Sequence, residues 1–318
     1  MDDTENISSG HLNRGWVYHD LIRPDAAGER VLDFYARRYP HSSRETWAER
    51  IAAGLIRLDG RAVGPDTALE AGQFLAYHRP PWREPDVPRE VKVLHEDPDL
   101  IAVAKPAGLP VLPGGGFLEN TLLFILRQRY PESPPPAPIH RLGRGTSGLL
   151  LLARSPTAGR RLSEDLREGR LRKTYRALVA GTAMPDAFKV EQPIGQVPYP
   201  GLGYIYAVTP GGKTARTNFR TLRRDPDRGQ TLLEVDIPTG RPHQIRIHAA
   251  AAGYPLVGDP LYREGGKPAL PVNPDNIPLP GDCGYHLHAL RASFLHPVTR
   301  KPMRLVCPPP DLLRLPEE

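Results

Sequence analysis

Proline limits what this chain can fold into more than any other residue. It occurs 38 times in 318 residues, well above the usual proportion of about 5%. It is bunched at Pro80 to Pro88, Pro131 to Pro138, Pro268 to Pro280 and Pro308 to Pro310. Proline lacks an amide hydrogen and fixes its own φ, so none of these stretches can be a helix interior or a central strand. Regular structure must lie between them. The segment "PPWREPDVP" and its neighbours, 80–90, read as an extended linker separating a small unit, 14–79, from a large one, 91–310. Residues 1–13 are polar and carry Asp2, Asp3 and Glu5, which predicts a disordered tail, and 311–318 reads as a second tail.

Within the small unit, Val31, Leu32, Tyr35 and Ala36 fall at helical spacing. Ser42 and Glu45 form a capping-box pair ahead of a second helix carrying Trp47 and Ile51 and stopping at Gly54. Asp59-Gly60 marks a hairpin, and Phe74 to Tyr77 another strand. In the large unit, strands are expected at Val91 to Leu94, Leu100 to Ala104, Leu149 to Ala153, Tyr175 to Val179, Thr214 to Leu222 and Leu232 to Ile237. Asn120 is placed to cap a helix through Leu122, Leu126 and Tyr130. Ser155-Pro156 starts another helix that Gly169 stops, and a last helix is expected over Pro242 to Ala252. Runs of strands with few helices predict an α+β domain with a mixed, mostly antiparallel central sheet and flanking helices, beside a small α+β domain.

The net charge is +6, but its distribution matters more. Between Arg141 and Arg176 stand ten basic residues against three acidic ones. Such a concentration is the footprint of a polyanion partner such as nucleic acid, or else an arginine-rich helix face in solvent. No apolar run approaches the roughly 20 residues that cross a bilayer, and the first residues lack a secretory pattern. Cys283 and Cys307 form no closely spaced pair. A cytoplasmic monomer with no membrane attachment is therefore expected. His286 and His288 would share a strand face but lack a third ligand, so no metal is expected. "GRGTSG", Gly143 to Gly148, lacks the ending of an NTPase phosphate loop.

Four blocks carry more information: "VLHEDPDLIAVAKPAGLPV" from Val93, "HRLGRGTSGLLLLARS" from His140, "KTYRALVAG" from Lys173, and "GRPHQIRIHAAAAGYPLVGDPLY" from Gly240. In this order they resemble the signature of the RluA family of pseudouridine synthases. The string "GLIRLDGRAV" from Gly54 resembles the S-four-like RNA-binding domain that often precedes such enzymes. The resemblance implies a pseudouridine synthase fold and an isomerase that detaches uracil from its ribose in ribosomal or transfer RNA, turns it and rejoins it through carbon, without a cofactor. It also implies a stacking tyrosine, Tyr175, and an active-site arginine, Arg246. Residues His140, Arg141, Arg144, Arg241, His243 and Gln244 would bind substrate, with Arg141 filling the gap left by an everted nucleotide or gripping its phosphate.

One position departs from that pattern. Where the family has a catalytic aspartate this chain has Gly143, which can neither attack the sugar nor accept a proton. Arg246, deprived of that partner, would need another anion: an RNA phosphate, Asp259 or, on sequence grounds alone, Asp165. Two readings follow. In one the chain is a synthase in which water or another carboxylate replaces the aspartate; in the other it is a non-catalytic RNA-binding or RNA-folding protein on the same scaffold.

Overall fold

The computed structural model describes residues 10–131, 134–270 and 277–318. It forms two compact units that divide after Pro85. The first holds β1 (Trp16–Leu21), α1 (Val31–Arg38), α2 (Arg44–Ala52), β2 (Ile56–Leu58), β3 (Arg61–Ala62) and β4 (Phe74–Arg79). Its four strands form an antiparallel sheet in the order β1-β4-β2-β3. Phe34, Tyr35, Trp47, Ile51 and Leu75 make its core. The β2–β3 hairpin turns on Asp59 and Gly60, both with positive φ (48° and 81°), the backbone that a two-residue turn between twisted strands requires. The N-cap of α2 is Ser43, whose hydroxyl accepts from the Thr46 amide, in place of the expected Ser42.

Three expected boundaries move. Of the predicted tail, residues 1–9 lie outside the described residues, but Asn13 is buried and its side-chain amide donates to Glu84 Oε1 at 2.7 Å. The Asn13 backbone amide also donates to the Trp82 carbonyl at 3.1 Å. Residues 80–85 thus fold against the first unit as extended chain, which proline permits. The other end is not a loose tail either, because Leu313 is buried with Leu178 and Leu232.

The second unit continues with β5 (Lys92–Glu96), β6 (Leu100–Lys105), α3 (Leu122–Arg129), β7 (Ala137–Pro138), β8 (Ser147–Ala153), α4 (Pro156–Arg167) and β9 (Arg172–Ala180). Then come β10 (Ala187–Val190), β11 (Ile194–Tyr199), β12 (Gly203–Val208), β13 (Thr217–Asp225), β14 (Gln230–Asp236), α5 (Gln244–Ala251), β15 (Leu287–Leu295) and β16 (Pro302–Val306). The central sheet runs β10-β13-β14-β9-β15-β8-β6-β5, with β16 on β15 and β7 on β8. It is mixed because β15 and β8 pair in parallel.

Side chains alternate across strands, and here both faces are covered. One face presents Ile101, Val103, Leu150 and Leu152 to Leu122 and Leu126 of α3 and to Ile245 and Ala249 of α5. The other presents Leu100, Ala102, Leu149 and Leu151 to Leu162 of α4. That is why the β8 sequence is an unbroken apolar run. Helix α4 begins at Ser155, whose hydroxyl accepts from the Ala158 amide, with Pro156 at its first position; Gly169, at φ 72°, follows its end. The cap of α3 is Thr121, which accepts from the Phe124 amide, and not Asn120.

Candidate active site

The glycines of the β7–β8 connection are shaped around one aromatic ring. A Cβ on Gly145 would stand 2.9 Å from ring carbons of Tyr285, so only glycine lets that ring lie against the loop. Gly148, with φ +111°, lets β8 close on β15: its Cβ would fall 2.3 Å from the Ala289 carbonyl. At Gly143 a Cβ would meet Tyr285 Oη at 2.9 Å and Thr146 Oγ1 at 3.5 Å, and nothing else within 4 Å among the described residues. Those two hydroxyls are themselves 3.2 Å apart. The space beside Gly143 is therefore taken by the phenol of Tyr285, and among the described residues no carboxylate lies within 4 Å of that Cβ.

Behind Tyr285 lies Arg246, on α5, its guanidinium carbon 4.2 Å from the ring centroid. Asp259 grips that guanidinium in bidentate fashion, Nε to Oδ2 at 2.7 Å and Nη2 to Oδ1 at 2.8 Å, and both side chains are almost wholly buried. The Leu261 and Tyr262 amides also donate to Asp259 Oδ1, and Arg246 Nη1 donates to the Pro280 carbonyl at 3.0 Å. Burial alone would lower the Arg246 pKa; the bond to Asp259 and the surrounding charges outweigh it, so the arginine stays charged. Asp259 is thus the anion that Arg246 requires, and its oxygens are too fully engaged to attack a sugar. Asp165 is elsewhere, bonded to Arg170 at 2.6 Å and packed with α4.

The loop is fastened from below by Lys105 at the end of β6, which is 1% exposed. Its ammonium donates to the carbonyls of Pro106, Leu109 and Arg144 at 2.9, 2.8 and 3.1 Å. Burial pulls its pKa down to about 7. On β9, Tyr175 stands opposite Ala289 of β15 and belongs to the same buried cluster as Leu142, Ile245 and Tyr285. Burial raises its hydroxyl pKa.

A family model described as RNA pseudouridylate synthase matches residues 99–251. An uncharacterized RNA pseudouridine synthase of Synechocystis sp. is 50% identical over 89% of this chain and 95% of its own length. The chain belongs to the RNA pseudouridylate synthase family. The ribosomal large subunit pseudouridine synthase D of Xanthomonas campestris pv. campestris is 36% identical over 93% of this chain and 90% of its own. Among solved structures, human RNA pseudouridylate synthase domain containing 1 matches with a TM-score of 0.56 at 24% identity, covering 73% of this chain and 89% of that one. The family membership makes the chain an RNA pseudouridine synthase, an isomerase, and the α+β unit with its mixed sheet is the synthase fold.

Several residues expected to meet substrate in this synthase also bond within the protein, Gln244 with its whole amide and Arg241 and Arg144 through Nε only. Gln244 accepts from Thr239 Oγ1 and the Arg241 amide and donates to the Arg216 carbonyl and Thr217 Oγ1, which exhausts its amide. Arg241 Nε donates to the Thr214 carbonyl at 2.9 Å. Arg144 Nε donates to the Gly281 carbonyl at 2.7 Å, with its guanidinium over Phe117. Gln244 and Arg241 thus shape the turn before α5, and Arg144 ties the glycine loop to the 277–286 segment. Arg141 is exposed and makes no bond among the described residues.

The basic stretch divides in the same way. Arg144, Arg154, Arg161, Arg170 and Arg176 bond protein groups, and Lys173 is buried. Only Arg141, Arg160, Arg167 and Arg172 are left as exposed, unbonded cations among the described residues of that stretch. The two histidines do not share a strand face, because His286 precedes β15, and His288 has both ring nitrogens engaged, Nδ1 with Ser147 Oγ at 2.9 Å and Nε2 with the Cys307 carbonyl at 3.0 Å. Sequence reasoning missed Tyr285, Lys105 and Lys173; the last has its pKa pulled down to about 8 by burial. Tyr285 sits in a segment without periodicity, and lysines ordinarily lie at the surface.

His140 and His243 give a prediction. Burial, aided by Lys173 for His140 and by Arg246 for His243, lowers both rings to about 3. His243 Nδ1 lies 2.9 Å from Tyr262 Oη in a residue of positive φ, 55°. Unfolded histidines take up protons near pH 6.5, so from there down to about 3 the unfolded state binds more protons and stability falls with pH. Each ring accounts for up to about 1.4 kcal/mol per pH unit in that window. Urea unfolding at about pH 7 and about pH 5 should show this loss, and His243→Gln should flatten the dependence. An unchanged slope would mean that the ring is not kept neutral.

Proposed function

We propose that this synthase isomerises a uridine of ribosomal or transfer RNA at the Gly143 loop, with the hydroxyl of Tyr285 standing where the family's aspartate would be. The observation that carries this reading is the fit of Tyr285, whose hydroxyl takes up the space beside Gly143 while its ring rests on Arg246. Isomerisation breaks the bond from C1′ to N1, turns the uracil, joins C5 to C1′, and passes the C5 proton to solvent while N1 takes one up. The departing base carries negative charge. A protonated phenol beside a buried cation is suited to offer it a hydrogen bond. Burial raises the Tyr285 pKa, partly opposed by Arg246, so the group is a proton donor and not a phenolate nucleophile at neutral pH. Tyr175 supplies a ring face for the everted base, a contact worth about 1–3 kcal/mol, and Arg141 is free to hold the flanking phosphate. The small amino-terminal unit, read as S-four-like, would add RNA affinity.

The non-catalytic reading is favoured by one observation, the lack among the described residues of any carboxylate within 4 Å of a Gly143 Cβ. Incubating the purified chain with unmodified large-subunit ribosomal RNA and, separately, transfer RNA, followed by pseudouridine mapping, tests both readings. The expected result is conversion at a defined uridine in one of the two RNAs. Tight RNA binding with no conversion in either would favour the non-catalytic protein.

A further inference from the structure

Arg176 follows Tyr175 on β9, so its side chain leaves the sheet on the opposite face. It is 4% exposed, yet its Nε and Nη1 are buried without any hydrogen-bond partner. Its Nη2 alone is engaged, by Glu318 Oε1 at 2.6 Å. A buried guanidinium ordinarily has its donors satisfied, and leaving two of them unmade is costly. Arg176 also lines a cavity of about 400 Å³ whose other charged walls are Arg291, Arg304, Arg314 and Glu318. Arg291 is bonded to Thr174 Oγ1, and Arg314 to Asp311 and the Pro309 carbonyl. The Arg304 side chain is exposed and has no bond among the described residues. Glu234, the neighbour of Arg176 on β14, is taken by Arg220 at 2.6 Å. Four guanidinium groups therefore line the cavity with Glu318 as its only carboxylate among the described residues, Asp311 holding Arg314 from outside it.

We propose that this cavity is a phosphate-binding site and that Glu318 is its displaceable internal occupant. A phosphate presents several acceptor oxygens to a guanidinium fork and can engage Nε and Nη donors together, which the single oxygen of Glu318 does not. The cavity is large enough for a phosphate ester, and it lies across the sheet from Tyr175, so its ligand is not the uridine being isomerised. The phosphate belongs either to the backbone of the bound RNA or to a free phosphate compound.

The test uses the full chain as wild type, Glu318→Gln and Arg304→Ala. Arg304 is exposed, and Glu318→Gln keeps the side-chain oxygen that accepts from Arg176, so the variants should fold. Thermal shift is read against inorganic phosphate at constant ionic strength, with chloride as control. With the competing carboxylate gone, Glu318→Gln should respond at a phosphate concentration on the order of tenfold lower than wild type, and Arg304→Ala should lose response. The salt dependence of single-stranded RNA binding then identifies the source. If the ligand is an RNA phosphate, Arg304→Ala lowers the slope of log affinity against log salt by roughly 0.7; if it is a free phosphate, the slope is unchanged. Equal phosphate responses in all three proteins would overturn the proposal and make the Arg176–Glu318 contact a structural latch only.

Discussion

Gly143→Asp should destabilise the protein by about 1–3 kcal/mol in urea, the usual cost of overpacking a filled site, and adding Tyr285→Phe should restore most of it. The backbone at Gly143 is not in the left-handed region, so an aspartate meets no conformational penalty there. The obstacle is the Tyr285 hydroxyl, 2.9 Å from the new Cβ, and the phenylalanine removes that one atom. The two changes should therefore be non-additive by about 1 kcal/mol or more in a double-mutant cycle. Additive effects would mean that the hydroxyl does not occupy the aspartate's space. The double variant also places a carboxylate beside Arg246, as in the family pattern, and its activity on uridine RNA should survive the loss of the phenol.

Asp259→Ala carries the other large effect. Arg246 and Asp259 are 2% and 1% exposed at their side chains, so removing the carboxylate strands a cation in the core. Breaking such a pair from one side costs about 3–5 kcal/mol. Replacing both by apolar residues of similar volume, Arg246→Met with Asp259→Leu, should cost far less while abolishing activity. Chemical denaturation of the two variants beside wild type separates these cases. A loss below about 1 kcal/mol for Asp259→Ala would show that Arg246 readily finds another anion or water.

Much of this architecture is written locally. Ser155, Pro156 and Gly169 delimit α4 because a hydroxyl acceptor, a missing amide hydrogen and a left-handed backbone are each properties of one residue. Asp59-Gly60 marks its hairpin for the same reason. Caps with two adjacent candidates were less legible: Ser42 against Ser43 and Asn120 against Thr121 differ only in which residue the chain turns through. Strand β1 escaped notice because Trp16, Tyr18 and Leu21 remain exposed, leaving no apolar alternation to read. The active-site loop was visible as a glycine pattern, but its shape depends on Tyr285, some 140 positions away. Charge was the least reliable guide, since a sequence does not say that Arg144, Arg161 and Arg176 spend their guanidinium groups on carbonyls and a carboxylate of their own chain.

The most direct measurement is hydrogen release from C5 of uridine, read as tritium set free from RNA labelled at that carbon, with wild type beside Tyr285→Phe. Wild type should release tritium over many turnovers, and Tyr285→Phe should be slower by roughly a hundredfold or more, the usual contribution of a positioned proton donor. Release by the Gly143→Asp, Tyr285→Phe variant with none from wild type, under conditions where wild type binds the RNA, would contradict the account and leave a protein that holds uridine without converting it.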